Sequence, residues 1–307
     1  MKHQPILGFF LAFTAACMWG SLPIALQQVL QTMNAETIVW FRFLVASVGL
    51  FFLLKITNSL PRVGNFRSQH WLLLLLGVVG LSCNFFLYNI ALLYIPPTTS
   101  QIFSPISSFG MLIAGVWLFK ENFAKHQKIG LLLLIFGLLL FFNQKLNDFV
   151  QFNSYVKGIL ICLCACLIWV VYGIAQKLLL RHLSAQQILL PIYIGCCLVF
   201  LPVADFSLVL ALTPFQLACL LFCCLNTLIG YGCYAEALNR WNITKVSVVV
   251  TQIPILTLIF SEILHFFAPD TFMYENLNSL SYLGALTVVS GALLSAIGHK
   301  FIKVKKQ

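Results

Sequence analysis

The chain has 307 residues, 61% of them hydrophobic and only 8% charged, with a mean hydropathy of +0.96. Soluble domains carry about 25% charged residues, so a water-facing globule is excluded and the apolar excess must meet lipid. The net charge of +10 is scattered over short segments with no patch or motif, which argues against nucleic acid as a partner.

A membrane-crossing helix needs about 20 mainly apolar residues. Ten stretches qualify: 6–27, 35–56, 71–93, 97–119, 127–143, 156–177, 186–205, 214–238, 243–267 and 280–301. The first follows Lys2 and His3 and runs past Trp19 without a small-residue cleavage site, so it reads as an uncleaved span. The fifth is short, and its apolar core at 129–142 just reaches across. The longest connections, 57–69 and 143–155, are too small for a soluble domain. No Gly-x-x-x-x-Gly-Lys loop is present, which excludes an internal ATPase. All eleven cysteines lie in apolar runs and none has metal-ligand spacing. Cys162, Cys164 and Cys166 are expected to splay around a helix as small buried hydrophobes. No metal or cofactor is expected.

Lysine and arginine set the orientation. With the N-terminus inside, the inner segments hold Lys2, Lys55, Arg62, Arg67, Lys120, Lys125, Lys128, Lys177, Arg181, Arg240, Lys245, Lys300, Lys303, Lys305 and Lys306. The outer side holds Lys145 and Lys157, together with Glu36, Asp148, Asp205, Asp270 and Glu275. This asymmetry predicts ten spans with both termini in the cytoplasm.

The chain also repeats itself. Tyr88-x-x-Ala91-Leu92 recurs 146 residues later as Tyr234-x-x-Ala237-Leu238, each followed by a long apolar run. Gly8 and Trp19 of the first span match Gly158 and Trp169 of the sixth. Residues 1–147 and 148–307 then form two five-span repeats. Five is odd, so the second repeat enters the membrane upside down relative to the first. Inverted repeats are the architecture of alternating-access transporters.

Several segments together carry a family resemblance: Cys17-Met18-Trp19-Gly20-Ser21, Trp40-Phe41-Arg42-Phe43-Leu44, the two Tyr-x-x-Ala-Leu segments and the run at Pro254. On these residues the chain resembles the drug/metabolite transporter superfamily in its ten-span, twin-EamA form. In that family a proline follows Ala-Leu by a set distance and an acid closes the run. The first half has Glu121, with Ser108 in the proline position and Pro105 one turn earlier; the second has Pro254, with Phe267 where the acid would fall. The resemblance implies an all-α membrane protein of ten transmembrane helices in two inverted five-helix repeats. It also implies a central cavity surrounded by spans one, three, four, six, eight and nine.

Polar groups are expensive in lipid, so those inside spans are the candidate substrate or coupling residues. Arg42 either snorkels outward, pairs with Glu36 or helix-end carbonyls, or faces the cavity and binds a substrate carboxylate. Glu236 either forms an interfacial ion pair with Arg240 at i,i+4 spacing, or exchanges a proton or holds a substrate amine as the inner gate opens. Glu262 and His265, at i,i+3, read as an interfacial contact or a relay. Asn84, Tyr88 and Asn89 in the third span, Gln101 and Ser104 (with Ser100) in the fourth, and Thr251 and Gln252 in the ninth bind solute or glue helices together. Trp19, Trp169, Tyr172, Tyr231 and Tyr234 add aromatic lining. Pro23, Pro105, Pro191 and Pro254 are static kinks or hinges, with Pro254 the best placed hinge.

Three function classes are weighed. The first is a secondary-active exporter or exchanger of small metabolites such as amino acids, with the proton as candidate coupling ion and a bacterial inner membrane as its setting. A nucleotide or S-adenosylmethionine exchanger is its nearest variant. The second is an intramembrane lipid-modifying enzyme, which needs converging ligands or nucleophiles. His3, His70, His126, His182 and His299 sit at separate loops or ends, without such convergence. The third is a scaffold, which has no use for duplicated polar groups. Oligomeric state is open at this level.

Overall fold

The computed structural model describes residues 4–61, 68–120, 122–272 and 275–298. Lys2, His3, Arg62, Arg67, Glu121, His299, Lys300, Lys303, Lys305 and Lys306 lie outside the described residues. The described chain is helical, without strands, and makes ten passages. The first three are Pro5–Val29, Ala35–Ile56 and Ser68–Ala91. The fourth is broken into Pro97–Ile102 and Ser104–Phe119. The fifth, sixth, seventh and eighth are Lys125–Phe141, Ser154–Leu179, Ala185–Phe200 and Pro214–Arg240. The ninth is broken into Ile243–Val250 and Ile253–Phe267, and the tenth is Ser279–Ile297.

Eight passages are long and apolar enough to cross a membrane outright. The fifth becomes a ninth when counted with Asn143–Gln151, to which it is bent by 54°. The seventh is shorter than expected, 16 residues instead of a run to 205. Pro202 has no amide proton to continue the helix, so the chain turns out of it after Phe200.

The helix starts are written in the sequence. The Asn34 side chain accepts from Thr37 N, Asn153 from Tyr155 N, and Asn278 from Ser281 N. Ser184 with Gln187 and Thr213 with Gln216 form capping boxes. Each satisfies amides that would otherwise be unpaired at a helix end.

The packing obeys the internal repeat. The first span lies on the eighth as the sixth lies on the third. The first also meets the ninth as the sixth meets the fourth, and the second meets the eighth as the seventh meets the third. The second and seventh, fourth and ninth, and fifth and tenth each pair with their own counterpart. This is the contact pattern of two repeats related by a two-fold axis.

Small residues allow the closest of these approaches. A Cβ on Gly130 would sit 2.5 Å from the Gly291 carbonyl oxygen, and one on Gly137 would sit 2.8 Å from that of Gly284. The fifth and tenth spans therefore touch backbone to backbone. Gly8 makes room for Trp241, and Gly158, its repeat equivalent, for Tyr94 and Ile95. Large apolar side chains such as Leu72, Leu75, Leu132 and Leu139 point outward along the spans, where lipid tails are their natural solvent.

The face from which the first span starts also carries Lys55, Lys120, Lys125, Lys128, Lys177, Arg181, Arg240 and Lys245. It is the basic face below, and the other is the opposite face.

Candidate functional site

Both broken spans break at matching places, between Ile102 and Ser104 and between Val250 and Ile253. Pro105 and Pro254 each fall in the first turn after the break, where a missing amide proton costs nothing. Pro23 and Pro191 stay inside continuous helices. Around the first break, Cys162 Sγ donates to the Ser100 carbonyl at 3.7 Å and Cys166 Sγ to that of Phe103 at 3.6 Å. Cys162 and Cys166 thus share one face, contrary to the expectation that the three cysteines splay; Cys164 points outward. Residues four apart on a helix are neighbours, which is why the two coincide.

Arg42 lies about 10 Å along its helix from Ala35 and is buried. Its Nε donates to Thr227 Oγ1 at 3.2 Å, and its guanidinium sits 4.4 Å from the centre of the Phe85 ring. No carboxylate pairs with it among the described residues, Glu36 included. Cys223, Cys224, Tyr231 and Tyr88 are its electrostatic neighbours, and Tyr193 also lies within range of its charge.

Tyr231 links this group to a second one. Its ring meets Trp19 edge to face, with centroids 5.3 Å apart, and Trp19 also packs on Tyr234 at 5.4 Å. Gly230 leaves the space that the Trp19 indole fills. Gln101 Nε2, from the first piece of the fourth span, donates to the Trp19 carbonyl at 3.2 Å. Tyr88 shares a hydrogen bond with Ser100 at 3.0 Å. Arg42, Tyr88, Gln101, Trp19, Tyr231 and Tyr234 are thereby drawn into one region contributed by both repeats.

Of the remaining candidates, Trp169 and Tyr172 join the core that also holds Phe85 and Tyr193, and the others make contacts of their own. Asn84 Nδ2 donates to the Ala165 carbonyl at 2.9 Å, joining third and sixth spans. Asn89 is fully buried, and neither side-chain polar atom has a hydrogen-bond partner among the described residues. Trp169 packs beside Tyr172, 6.1 Å between centroids, at the edge of the apolar core that holds Tyr172. Thr251 and Gln252 bond back to the Val248 carbonyl at the second break. Ser104 opens the second piece of the fourth span.

Glu236 is placed in an ion pair, with its Oε1 2.7 Å from Arg240 Nη2 and both side chains partly exposed. Arg240 also donates to Gln4 Oε1, tying the start of the first span to the end of the eighth. Glu262 accepts from the Tyr282 hydroxyl.

Four participants are not among the residues singled out from sequence: Phe85, Thr227, Tyr193 and Glu275. Glu275 is buried at the opposite face and accepts from Thr98 Oγ1 at 2.6 Å, Thr99 Oγ1 at 2.8 Å and the Tyr155 hydroxyl at 2.9 Å. Its donors come from the fourth span of one repeat and the sixth of the other. The register explains the omission. Glu121-Asn122-Phe123 stands nine residues before Gly130, and Glu275-Asn276-Leu277 stands nine before Gly284. The acid of the second repeat is thus Glu275, displaced from the Phe267 position by eight extra residues in the loop. His70 and His182, read as isolated, are also brought together, with ring centroids 5.0 Å apart.

Comparison with known proteins agrees with this architecture. Residues 6–143 and 156–297 each match the family described as EamA-like transporter family. The chain belongs to the EamA-like transporter family. It is 54% identical over 305 residues to a Haemophilus influenzae protein named as an uncharacterized transporter, covering 99% of each chain. It is 45% identical to the Escherichia coli inner membrane transporter YhbE, itself named as uncharacterized, over 98% of this chain and 94% of that one. A more distant relative, 23% identical over 96% of this chain and 97% of its own length, is the E. coli "Probable amino-acid metabolite efflux pump". A crystal structure 16% identical in sequence superposes with a TM-score of 0.67 over 99% of this chain and 100% of that chain, which speaks for the fold alone. The protein is therefore a multi-pass membrane transporter of the EamA type.

Proposed function

We propose that the chain is a secondary-active exporter or exchanger of small metabolites bearing a carboxylate, amino acids among them, working by alternating access. One observation carries the substrate class: a buried guanidinium with no carboxylate partner among the described residues, set among aromatic and phenolic side chains. A cation buried without a counter-ion is costly, and a substrate carboxylate offsets that cost while its apolar part meets Phe85, Tyr231 and Trp19. The inverted contact pattern supports the mechanism, because exchanging the conformations of two equivalent halves moves an opening from one face to the other. The amino-acid metabolite named for the distant relative fits the same chemistry. In this reading the repeats divide near residues 147 and 148, the basic face is cytoplasmic with both termini on it, and the protein sits in an inner membrane.

The test is uptake into inside-out vesicles, with pooled labelled amino acids, nucleosides and S-adenosylmethionine, with and without a pH gradient. Accumulation of a carboxylate-bearing solute that Arg42→Gln abolishes supports the proposal. Transport of a cationic solute, or transport indifferent to Arg42→Gln, refutes the substrate class. Dependence on the gradient separates a proton-coupled carrier from an exchanger.

A further inference from the structure

A second site lies on the basic face, away from Arg42. The start of the third span and the end of the sixth line a shallow, open pocket of about 340 Å³. Leu72, Leu73 and Leu178 form its apolar wall, and Gln69, His70, Arg181 and His182 its polar rim. The two imidazole rings sit 5.0 Å apart at 51°. Among the described residues, Arg181 is exposed and makes no ion pair, and no acid lines the pocket.

We propose that this pocket binds the headgroup phosphate of an anionic phospholipid. Charge complementarity selects the headgroup. A guanidinium offers a planar fork of donors that matches phosphate oxygens, and the exposed His182 imidazole beside it adds an N–H donor. Depth selects a lipid over a soluble phosphate. The third span begins at Ser68 and the sixth ends at Leu179, so the rim lies where apolar passage gives way to water and lipid phosphates reside. From the rim, the half-exposed Trp71, Leu72 and Leu75 continue along the outer surface of the third span. That surface suits acyl chains, and a tryptophan at this level is a usual interfacial anchor. Basic pockets between spans at a membrane face bind anionic headgroups in this way. Two histidines 112 positions apart in sequence (182 − 70) converge here, on elements from different repeats. A bound headgroup would therefore bridge the repeats as well as the lipid.

Native mass spectrometry of the purified full-length protein tests this. The protein is equilibrated in micelles containing dioleoylphosphatidylglycerol or dioleoylphosphatidylcholine, and retained lipid is counted. The glycerol lipid is expected to be retained in excess over the choline lipid. Arg181→Gln is expected to lower its retention about fivefold, and Arg181→Gln with His182→Asn to lower it further. Lys125→Gln, on the same face outside the pocket, leaves it unchanged. Leu178→Trp fills the pocket from its apolar side and is expected to reduce retention should the polar variants elute as aggregates. Equal retention of the two lipids, or retention indifferent to all these pocket variants, overturns the proposal. Displacement of the glycerol lipid by millimolar inorganic phosphate also overturns it, in favour of a soluble phosphate site. None of these outcomes depends on which solute the protein carries.

Discussion

Arg42 Nε donates to Thr227 Oγ1 across 3.2 Å, joining the second span of one repeat to the eighth span of the other. The Phe85 ring supports the guanidinium from the third span. The cation is thus positioned by a hydroxyl and a ring, while carboxylate neutralisation is left to something else. Arg42→Lys keeps the charge and loses the planar fork and the stacking. It is expected to weaken apparent affinity for a carboxylate solute about tenfold, ~1.4 kcal/mol, with normal amounts of protein in the membrane. Thr227→Val should have a smaller effect in the same direction. Concentration-dependent vesicle uptake reads both. A variant that loses thermal stability while transport per folded molecule is unchanged would make Arg42 a structural residue.

Glu236 and Arg240 give the opposite expectation. Both are partly exposed, and such i,i+4 pairs contribute about 0.3–0.5 kcal/mol. Glu236→Gln should leave both melting temperature and gradient-driven uptake close to wild type. Loss of gradient dependence with retained exchange would restore Glu236 as a coupling carboxylate.

At the opposite face, Glu275 is bound by three hydroxyls from two repeats. Hydrogen bonds to an ionised group are worth about 1.5–3 kcal/mol each. Tyr155→Phe removes one donor and is expected to destabilise the protein by about that much, read as a lower melting temperature in detergent. Thr98→Val and Thr99→Val together should cost more than Tyr155→Phe. Equal melting of all these variants and wild type would mean the carboxylate is not held as described.

The glycine contacts separate two classes of substitution. Gly137→Ala would place a methyl 2.7 Å from the Val288 amide nitrogen and 2.8 Å from the Gly284 carbonyl oxygen. Neither backbone group can swing aside, and overpacking of this kind costs about 1–3 kcal/mol. Gly232→Ala meets nothing within 4 Å and is expected to be neutral. Size-exclusion profiles and melting temperatures of the two variants provide the comparison, and similar behaviour would refute the close packing of the fifth and tenth spans.

The spans, the duplication and the family were legible because each is carried by composition or by local spacing. Tyr88-x-x-Ala91-Leu92 and Tyr234-x-x-Ala237-Leu238 need no three-dimensional knowledge to be matched. The partners of Arg42 were not legible. Thr227 lies 185 residues away, and nothing in a helical period announces a contact at that range. The breaks in the fourth and ninth spans were hidden because an apolar run reads the same whether its helix is continuous or interrupted; Pro105 and Pro254 marked them only indirectly. Glu275 was missed for a different reason. The set distance from Ala237-Leu238 through Pro254 leads to Phe267, and the longer loop before Glu275 breaks that spacing. Counting back from Gly130 and Gly284 would have found it.

The backbone contact of Gly130 with Gly291 and of Gly137 with Gly284 bears on how the halves can move. Interlocked side chains resist motion by having to climb over one another, whereas two bare backbones present almost no relief. Such a junction offers little torque against a twist and strong resistance to being driven closer. The fifth and tenth spans therefore have the mechanical character of an axle, and displacement between the halves must grow with distance from it. The second and seventh spans, which pack on one another and on the third and eighth, stand at the far end of that lever arm, and there even a shallow rotation becomes a wide stroke.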